Sequence, residues 1–157
     1  LNFKKKRTSG EYIILSEPSQ HMKNFFNLNN WLDQTIDNIK KHTDRKIIIR
    51  EKGLRPDRIK ENSVAGQCAR DQIYAVVTYQ SMAALEALHY GIPAFTTAPS
   101  CVDSVVSKDL SKIEEAVYPD ENKFMNVLNY LAYCQYNLDE INSGAALRMI
   151  EEMQLYD

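Results

Sequence analysis

The run from Gln72 to Val102 constrains the fold most, because Glu86 is its one formally charged side chain among apolar and small residues. Within this run, residues 73–77 predict a buried strand, residues 82–90 predict a helix, and residues 93–96 predict a second short strand. A strand, a helix and a strand in succession form a βαβ unit, whose strands are parallel and whose crossover is right-handed. The run therefore predicts an open, mostly parallel sheet.

Two more runs of strand length precede it, at residues 11–16 and 46–50. The second is an unbroken apolar run between two cations, which is typical of a strand covered on both faces. Between the two strands, Asn30 is expected to cap a helix that runs to Ile39, with Asp33 completing a variant of the capping box. Strands that alternate with helices predict an α/β fold.

The rest of the chain predicts mainly helices. A short helix is expected within residues 64–71, and an edge strand is possible at residues 116–118. The pattern is then purely helical, with one helix from Glu121 to about Cys134 and another over residues 143–153. The full prediction is a Rossmann-like open parallel sheet flanked by helices and ending in two C-terminal helices.

Composition favours a single globular domain over residues 1–157, with residues 1–10 as a mobile terminus. Hydrophobic residues make up 44% of the chain and charged residues 25%, and the formal net charge is -2. This charge gives no general attraction to nucleic acid or anionic lipid, and no apolar run is long enough to span a bilayer. The cysteines lack metal-type spacing, which favours free thiols in a cytoplasmic protein without a metal.

The candidate site lies where the predicted strands end, because ligands of such sheets bind beyond the carboxyl ends of the strands. Hydroxyls, cations and the start of a helix at one edge suit a diphosphate. No glycine-rich dinucleotide motif, P-loop, G-x-S-x-G elbow or metal-binding His/Cys cluster occurs in the sequence. The candidate residues are Ser16, His21, Arg50, Lys52, Thr78, Tyr79, Gln80, Ser81 and Thr97.

Most of these candidates also have a structural explanation. Ser81 is an ordinary N-cap, which a helix favours with or without a ligand. Arg50 and Lys52 begin a charged loop, where a solvated cation needs no ligand. His21 lies near a turn, and Tyr79 either stacks on a base or covers the edge of the sheet. The residues alone leave these alternatives open.

Glu86 is expected to be buried, and an ionised carboxylate in an apolar environment is costly unless a partner neutralises it. Nearby sequence supplies no cation, so we expect a functional role for this carboxylate. The structural alternative is an ion pair with a distant arginine, such as Arg70 or Arg148.

The stretch Val76–Ala94 resembles the donor-binding motif of two-domain (GT-B) glycosyltransferases of the capsule and surface-polysaccharide type. In that motif a strand ends in a Thr/Ser-rich turn, and a helix with Glu-Ala and then Gly-x-Pro follow. Other segments are similar to uncharacterised phage and bacterial proteins. The resemblance assigns the donor phosphates to Thr78, Gln80, Ser81 and Arg50, with Lys52 nearby, and the ribose hydroxyls to Glu86.

The resemblance also implies the partners of the chain. It would be the C-terminal, donor-side half of a longer protein, completed by an N-terminal acceptor domain that usually supplies the catalytic base. The donor substrate would be a nucleotide sugar, with no other cofactor. Two alternatives stay open, which are a nucleotide-sugar 2-epimerase and a non-catalytic phage or bacterial binding module.

Overall fold

The computed structural model describes residues 4–51, 63–69 and 72–154. The chain divides into two compact units, Leu1–Asp120 and Glu121–Asp157, and the first contains the whole sheet. The expected single domain across the chain stays a prediction, because each unit is compact by itself.

The sheet has four strands, all parallel, in the order β2-β1-β3-β4. The strands are β1 (Tyr12–Ser16), β2 (Lys46–Arg50), β3 (Ile73–Thr78) and β4 (Ala94–Thr96). The chain runs outward from β1 to β2, then crosses back so that β3 lies on the other side of β1. The predicted α/β, Rossmann-like parallel sheet is confirmed.

Burial differs between the centre and the edge of this sheet. Every residue of β3 is buried, as the apolar run predicts. β2 is an edge strand, and Ile49 is 47% exposed. The prediction that β2 is covered on both faces is therefore wrong, because an unbroken apolar run does not reveal its place in the strand order.

Helices cover both faces of the sheet. On one face, α2 (Trp31–Lys40) contacts a 3₁₀ helix (Leu110–Glu115), and together they bury the core side of β1, β3 and β4. α3 (Val64–Ala69) packs on α4 (Ala83–His89), and α4 packs on β3 and β4. A further short helix, α1 (Gln20–Phe25), follows β1 and was not predicted.

Two local predictions are wrong. Asn30 is the N-cap residue of α2, as predicted, but its side chain makes no capping hydrogen bond, so the expected capping box does not form. No strand forms at residues 116–118, because Ala116 has a left-handed backbone (φ 48°) that ends the 3₁₀ helix. Ser107 lies beside β4 instead, where its carbonyl accepts a hydrogen bond from the backbone N–H of Thr96 at 3.0 Å.

Gly91 ends α4 and brings distant parts of the first unit together. Its φ is +71°, and an added Cβ would lie 2.3 Å from the carbonyl oxygen of Lys5. The Gly91 carbonyl accepts hydrogen bonds from the backbone N–H of Arg7 at 2.8 Å and the Tyr118 hydroxyl at 2.7 Å. The segment expected to be a mobile terminus is therefore held at Arg7.

The second unit contains α5 (Glu121–Tyr133), α6 (Leu138–Asn142) and α7 (Ala145–Gln154). The two predicted C-terminal helices correspond to α5 and α7. The short α6 was not predicted, although Asn137 and Glu140 form a complete capping box at its start. Among the described residues, no helix has the length and apolar character that crossing a membrane requires.

Candidate functional site

Each strand of the sheet ends in a polar residue, and these four residues lie side by side in register. Ser16 pairs with Arg50 on one side and with Thr78 on the other, and Thr78 pairs with Thr96. Residues in register in a parallel sheet present their side chains on the same face. The four residues therefore form a continuous row, here called the terminal row, on the face that α3 and α4 cover.

Two hydroxyls of the terminal row have no hydrogen-bond partner. Thr78 and Thr96 are fully buried, and among the described residues nothing bonds to either Oγ1 atom. Leaving a buried polar group unpaired costs about 1–3 kcal/mol. The neighbouring Ser16 hydroxyl has only a long contact, with an Arg50 guanidinium nitrogen at 3.4 Å. Most buried polar groups in native proteins have a hydrogen-bond partner, so two unpartnered hydroxyls side by side set this end of the sheet apart.

A crevice of about 290 Å³ meets this row at Thr78, between the loop that follows β1 and the loop that follows β3. The strand order reverses between β1 and β3, and ligands of open parallel sheets bind at that reversal. The crevice therefore lies at the sheet edge that the sequence indicates. Its lining residues are Glu17, Pro18, Ser19, Met22, Thr78, Tyr79, Gln80, Ser81 and Met82.

Aromatic contacts and backbone hydrogen bonds hold the β3 side of the crevice. The Tyr79 ring lies 5.9 Å from the ring of Phe26 and 6.1 Å from that of Trp31. The Tyr79 carbonyl accepts hydrogen bonds from the backbone N–H groups of Thr97 at 3.2 Å and Ala98 at 3.0 Å. These contacts fix the loop that carries the predicted phosphate ligands.

Four of the candidate residues meet in the crevice, namely Thr78, Tyr79, Gln80 and Ser81. The helix after them begins later than expected, because α4 has Met82 as its N-cap position. The Ser81 hydroxyl accepts a hydrogen bond from the backbone N–H of Ala83 at 3.3 Å, so it does support the helix start. This contact agrees with the structural alternative for Ser81 and leaves its O–H free to donate.

The other candidates lie outside the crevice lining. Ser16 and Arg50 belong to the terminal row, and Lys52 lies outside the described residues. His21 is exposed on α1. The hydroxyl of Thr97 accepts a hydrogen bond from Trp31 Nε1 at 2.8 Å, which gives it a structural role.

The expected burial of Glu86 is wrong. Its side chain is exposed, while its neighbours Leu85 and Ala87 are buried, so Glu86 occupies the outer face of α4. It does not line the crevice. The Arg148 guanidinium donates to the Ser143 carbonyl, and Arg70 lies outside the described residues. The cost of burial therefore gives no argument for a role of Glu86, and its ribose-binding role stays a prediction.

The Cys68 thiol of α3 is buried among charged residues. Burial raises the pKa of this thiol to about 12. The negative charge of Glu86 also raises the pKa of the thiol, whereas the positive charges of Arg7 and Arg50 lower it.

One charged residue of the crevice was missed. Glu17 is not among the candidate residues, yet it is 8% exposed and lines the crevice. Its carboxylate Oε1 accepts a hydrogen bond from Lys23 Nζ at 2.9 Å. The available signal was its position directly after a buried strand, the same criterion that selected Thr78.

The described residues contain no group of three His, Cys, Asp or Glu side chains that could hold a metal ion. Comparisons of the chain with protein-family models, with curated proteins and with solved structures found no match.

Proposed function

We propose that the crevice binds a nucleotide sugar and that the chain is the donor-binding part of a glycosyltransferase. The observation that carries this proposal is the crevice itself, at the reversal of strand order and lined by Thr78, whose buried hydroxyl has no partner among the described residues. A site built in this way supplies hydrogen-bond donors that the protein itself does not use.

The donors suit phosphate oxygens, which only accept hydrogen bonds. Thr78, Gln80 and Ser81 all line the crevice, and the Gln80 amide and the Ser81 hydroxyl each have an N–H or O–H to donate. The Thr78 hydroxyl is buried, and its O–H has no partner among the described residues. Arg50, two strands away in the terminal row, adds a permanent positive charge. The resemblance of residues 76–94 to the donor-binding motif assigns the same side chains to the donor phosphates.

The transfer reaction needs charge stabilisation at the departing phosphate. Breaking the bond between sugar and phosphate leaves a negative charge on the phosphate, and preorganised donors that stabilise it lower the barrier. In this proposal Thr78, Ser81 and Arg50 supply that stabilisation. The base that accepts the proton of the acceptor hydroxyl belongs to the acceptor domain, so this chain alone should bind the donor without transferring its sugar.

Calorimetry with a panel of nucleotide sugars that covers uridine, guanosine, cytidine and thymidine donors tests the proposal. Thr78→Val removes the crevice hydroxyl at constant shape and should weaken the best ligand about three- to tenfold, the value of one neutral hydrogen bond. Thr96→Val is the matched control, since it removes an equally buried hydroxyl that does not line the crevice. Absence of binding across the panel, or equal losses in both variants, would contradict the proposal.

The predicted contact of Glu86 with the ribose needs a separate test. Glu86→Gln should weaken ribonucleotide ligands and leave the affinity for the matching 2′,3′-dideoxyribonucleotides unchanged. An equal affinity of wild type and variant for the ribonucleotides would remove Glu86 from the site without affecting the assignment of the crevice.

A further inference from the structure

The phosphate contacts leave one charged residue of the crevice without a role, and that residue is Glu17. It follows β1 directly, and its backbone N–H donates to the carbonyl of Arg50 at 3.0 Å, which extends the pairing of β1 with β2 by one residue. Its side chain is buried within the crevice lining at 8% exposure. Its position is therefore fixed by the sheet and does not depend on a mobile loop.

The two carboxylate oxygens of Glu17 have different environments. Oε1 accepts the hydrogen bond from Lys23 Nζ, an ion pair that compensates the buried charge. Oε2 accepts no hydrogen bond from any of the described residues. Oε2 is not one of the buried atoms without a partner, so it remains accessible and can accept a hydrogen bond from a group that occupies the crevice.

The rest of the β1 side of the crevice indicates what kind of group that is. Among the described residues, Glu17 is the only charged one in the lining, which also contains Pro18, Met22 and Tyr79. A carboxylate repels a phosphate but accepts hydrogen bonds from hydroxyls. An uncharged ring with polar hydroxyls and apolar C–H faces matches this combination.

We propose that Glu17 determines which sugar the site accepts, by taking a hydrogen bond from a hydroxyl of the donor sugar through Oε2. The sugar ring then occupies the side of the crevice formed by Glu17, Pro18 and Met22, and the phosphates occupy the side formed by Thr78–Ser81. Lys23 acts as a positioning residue, because it holds the carboxylate and cancels its repulsion of the phosphates. This inference depends on the proposed function, which supplies the nucleotide sugar.

The experiment compares two ligands, the best nucleotide sugar and the same nucleoside diphosphate without its sugar, by calorimetry. Glu17→Gln should weaken the nucleotide sugar roughly tenfold or more, as expected for a hydrogen bond to a charged group, and should leave the diphosphate unchanged. Lys23→Gln retains the carboxylate and should lose less affinity for the nucleotide sugar than Glu17→Gln does. The double variant replaces the ion pair by two neutral side chains and keeps the test valid if a single variant unfolds.

Each outcome decides the inference. A selective loss for the sugar-bearing ligand supports it. Equal losses for both ligands would mean that Glu17 contacts the nucleotide, and no loss would mean that it contacts nothing; both overturn the inference while the proposed function stands. If wild type binds neither ligand, the proposed function fails and this inference with it.

Discussion

Polar groups at the two ends of the parallel sheet differ in whether they have hydrogen-bond partners. At the end where the strands begin, the Arg45 guanidinium donates to both carboxylate oxygens of Glu114, at 2.9 and 2.8 Å. The same guanidinium contacts the carbonyl of Gly10 and lies 3.6 Å from the centre of the Tyr74 ring. At the end where the strands finish, the Thr78 and Thr96 hydroxyls of the terminal row are buried without a partner among the described residues.

The larger cavity is at the first of these ends. It measures about 690 Å³, against about 290 Å³ for the crevice, and Arg45, Glu114, Lys46 and Glu11 all line it. These four side chains form two ion pairs with one another. The charged groups of the larger cavity are therefore satisfied by one another, whereas the smaller crevice is lined by Thr78, whose hydroxyl has no partner among the described residues.

The largest loss of stability should come from removing the contacts of Arg45, at the end of the sheet where the strands begin. Arg45→Met removes the bidentate ion pair, the hydrogen bond to Gly10 and the contact with Tyr74, and we expect a loss of about 2 kcal/mol in the free energy of unfolding. Urea denaturation measures this loss. A loss close to zero would mean that the contacts of Arg45 are replaced by water at no cost, and the contrast between the two ends would disappear.

The terminal row should behave in the opposite way. Thr78→Val and Thr96→Val each replace an unpaired buried hydroxyl by a methyl group of similar size, so stability should stay constant or rise by up to about 1 kcal/mol. The same urea experiment measures both variants without ligand. A clear loss of stability in either one would show that its hydroxyl has a partner in the folded protein.

A smaller effect should appear in the pH dependence of stability that the Arg45–Glu114 ion pair causes. The hydrogen bond from Arg45 lowers the pKa of Glu114 from its ordinary value of 4.5. A carboxyl group with a lowered pKa in the folded state stabilises the protein above its unfolded pKa, and this contribution is lost as the pH falls. Wild type should therefore be more stable than Glu114→Gln near neutral pH, and the difference should shrink below about pH 4.5, with the midpoint of thermal unfolding as the measure. A difference independent of pH would contradict the ion pair.

The smallest effect is expected for Lys46→Gln. The Lys46–Glu11 pair lies at the surface, where water and salt screen the charges, although it lowers the pKa of Glu11 and raises that of Lys46. Any loss of stability at low ionic strength should vanish in about 1 M NaCl. A salt-independent loss of stability as large as that of Arg45→Met would show that the exposed Lys46–Glu11 pair stabilises the protein as much as the Arg45–Glu114 pair does.

The sequence predicted the strands and their direction, because an apolar run of strand length followed by an amphipathic or apolar helix leaves few alternatives. It did not predict the strand order, and so it did not show that β2 is an edge strand with exposed residues. For the same reason, the sequence could predict only part of the terminal row. Thr78 could be found at the end of its strand, whereas its alignment with Thr96 and Ser16 depends on pairing between strands far apart in the chain.

Glu86 and Glu17 show why charged residues are hard to place from neighbours alone. Around Glu86, alanines fit a buried or an exposed position equally well, so the small-residue run concealed which face of α4 is turned outward. Glu17 precedes proline and serine, a pattern typical of a turn. Its burial depends on Lys23 in α1, a helix of six residues that the sequence pattern did not indicate.

The turn at Gly91 also has a consequence for variation of this chain. Two independent restrictions meet there, the left-handed backbone and the adjacent Lys5 carbonyl, so no other amino acid fits without displacing the start of the chain. Gly144 is equally left-handed but has only the end of the flexible Arg148 side chain nearby, and asparagine should be accepted in its place. Substitutions at Gly144 should therefore be tolerated, whereas a substitution at Gly91 would disrupt the hydrogen bonds that its carbonyl accepts from Arg7 and Tyr118.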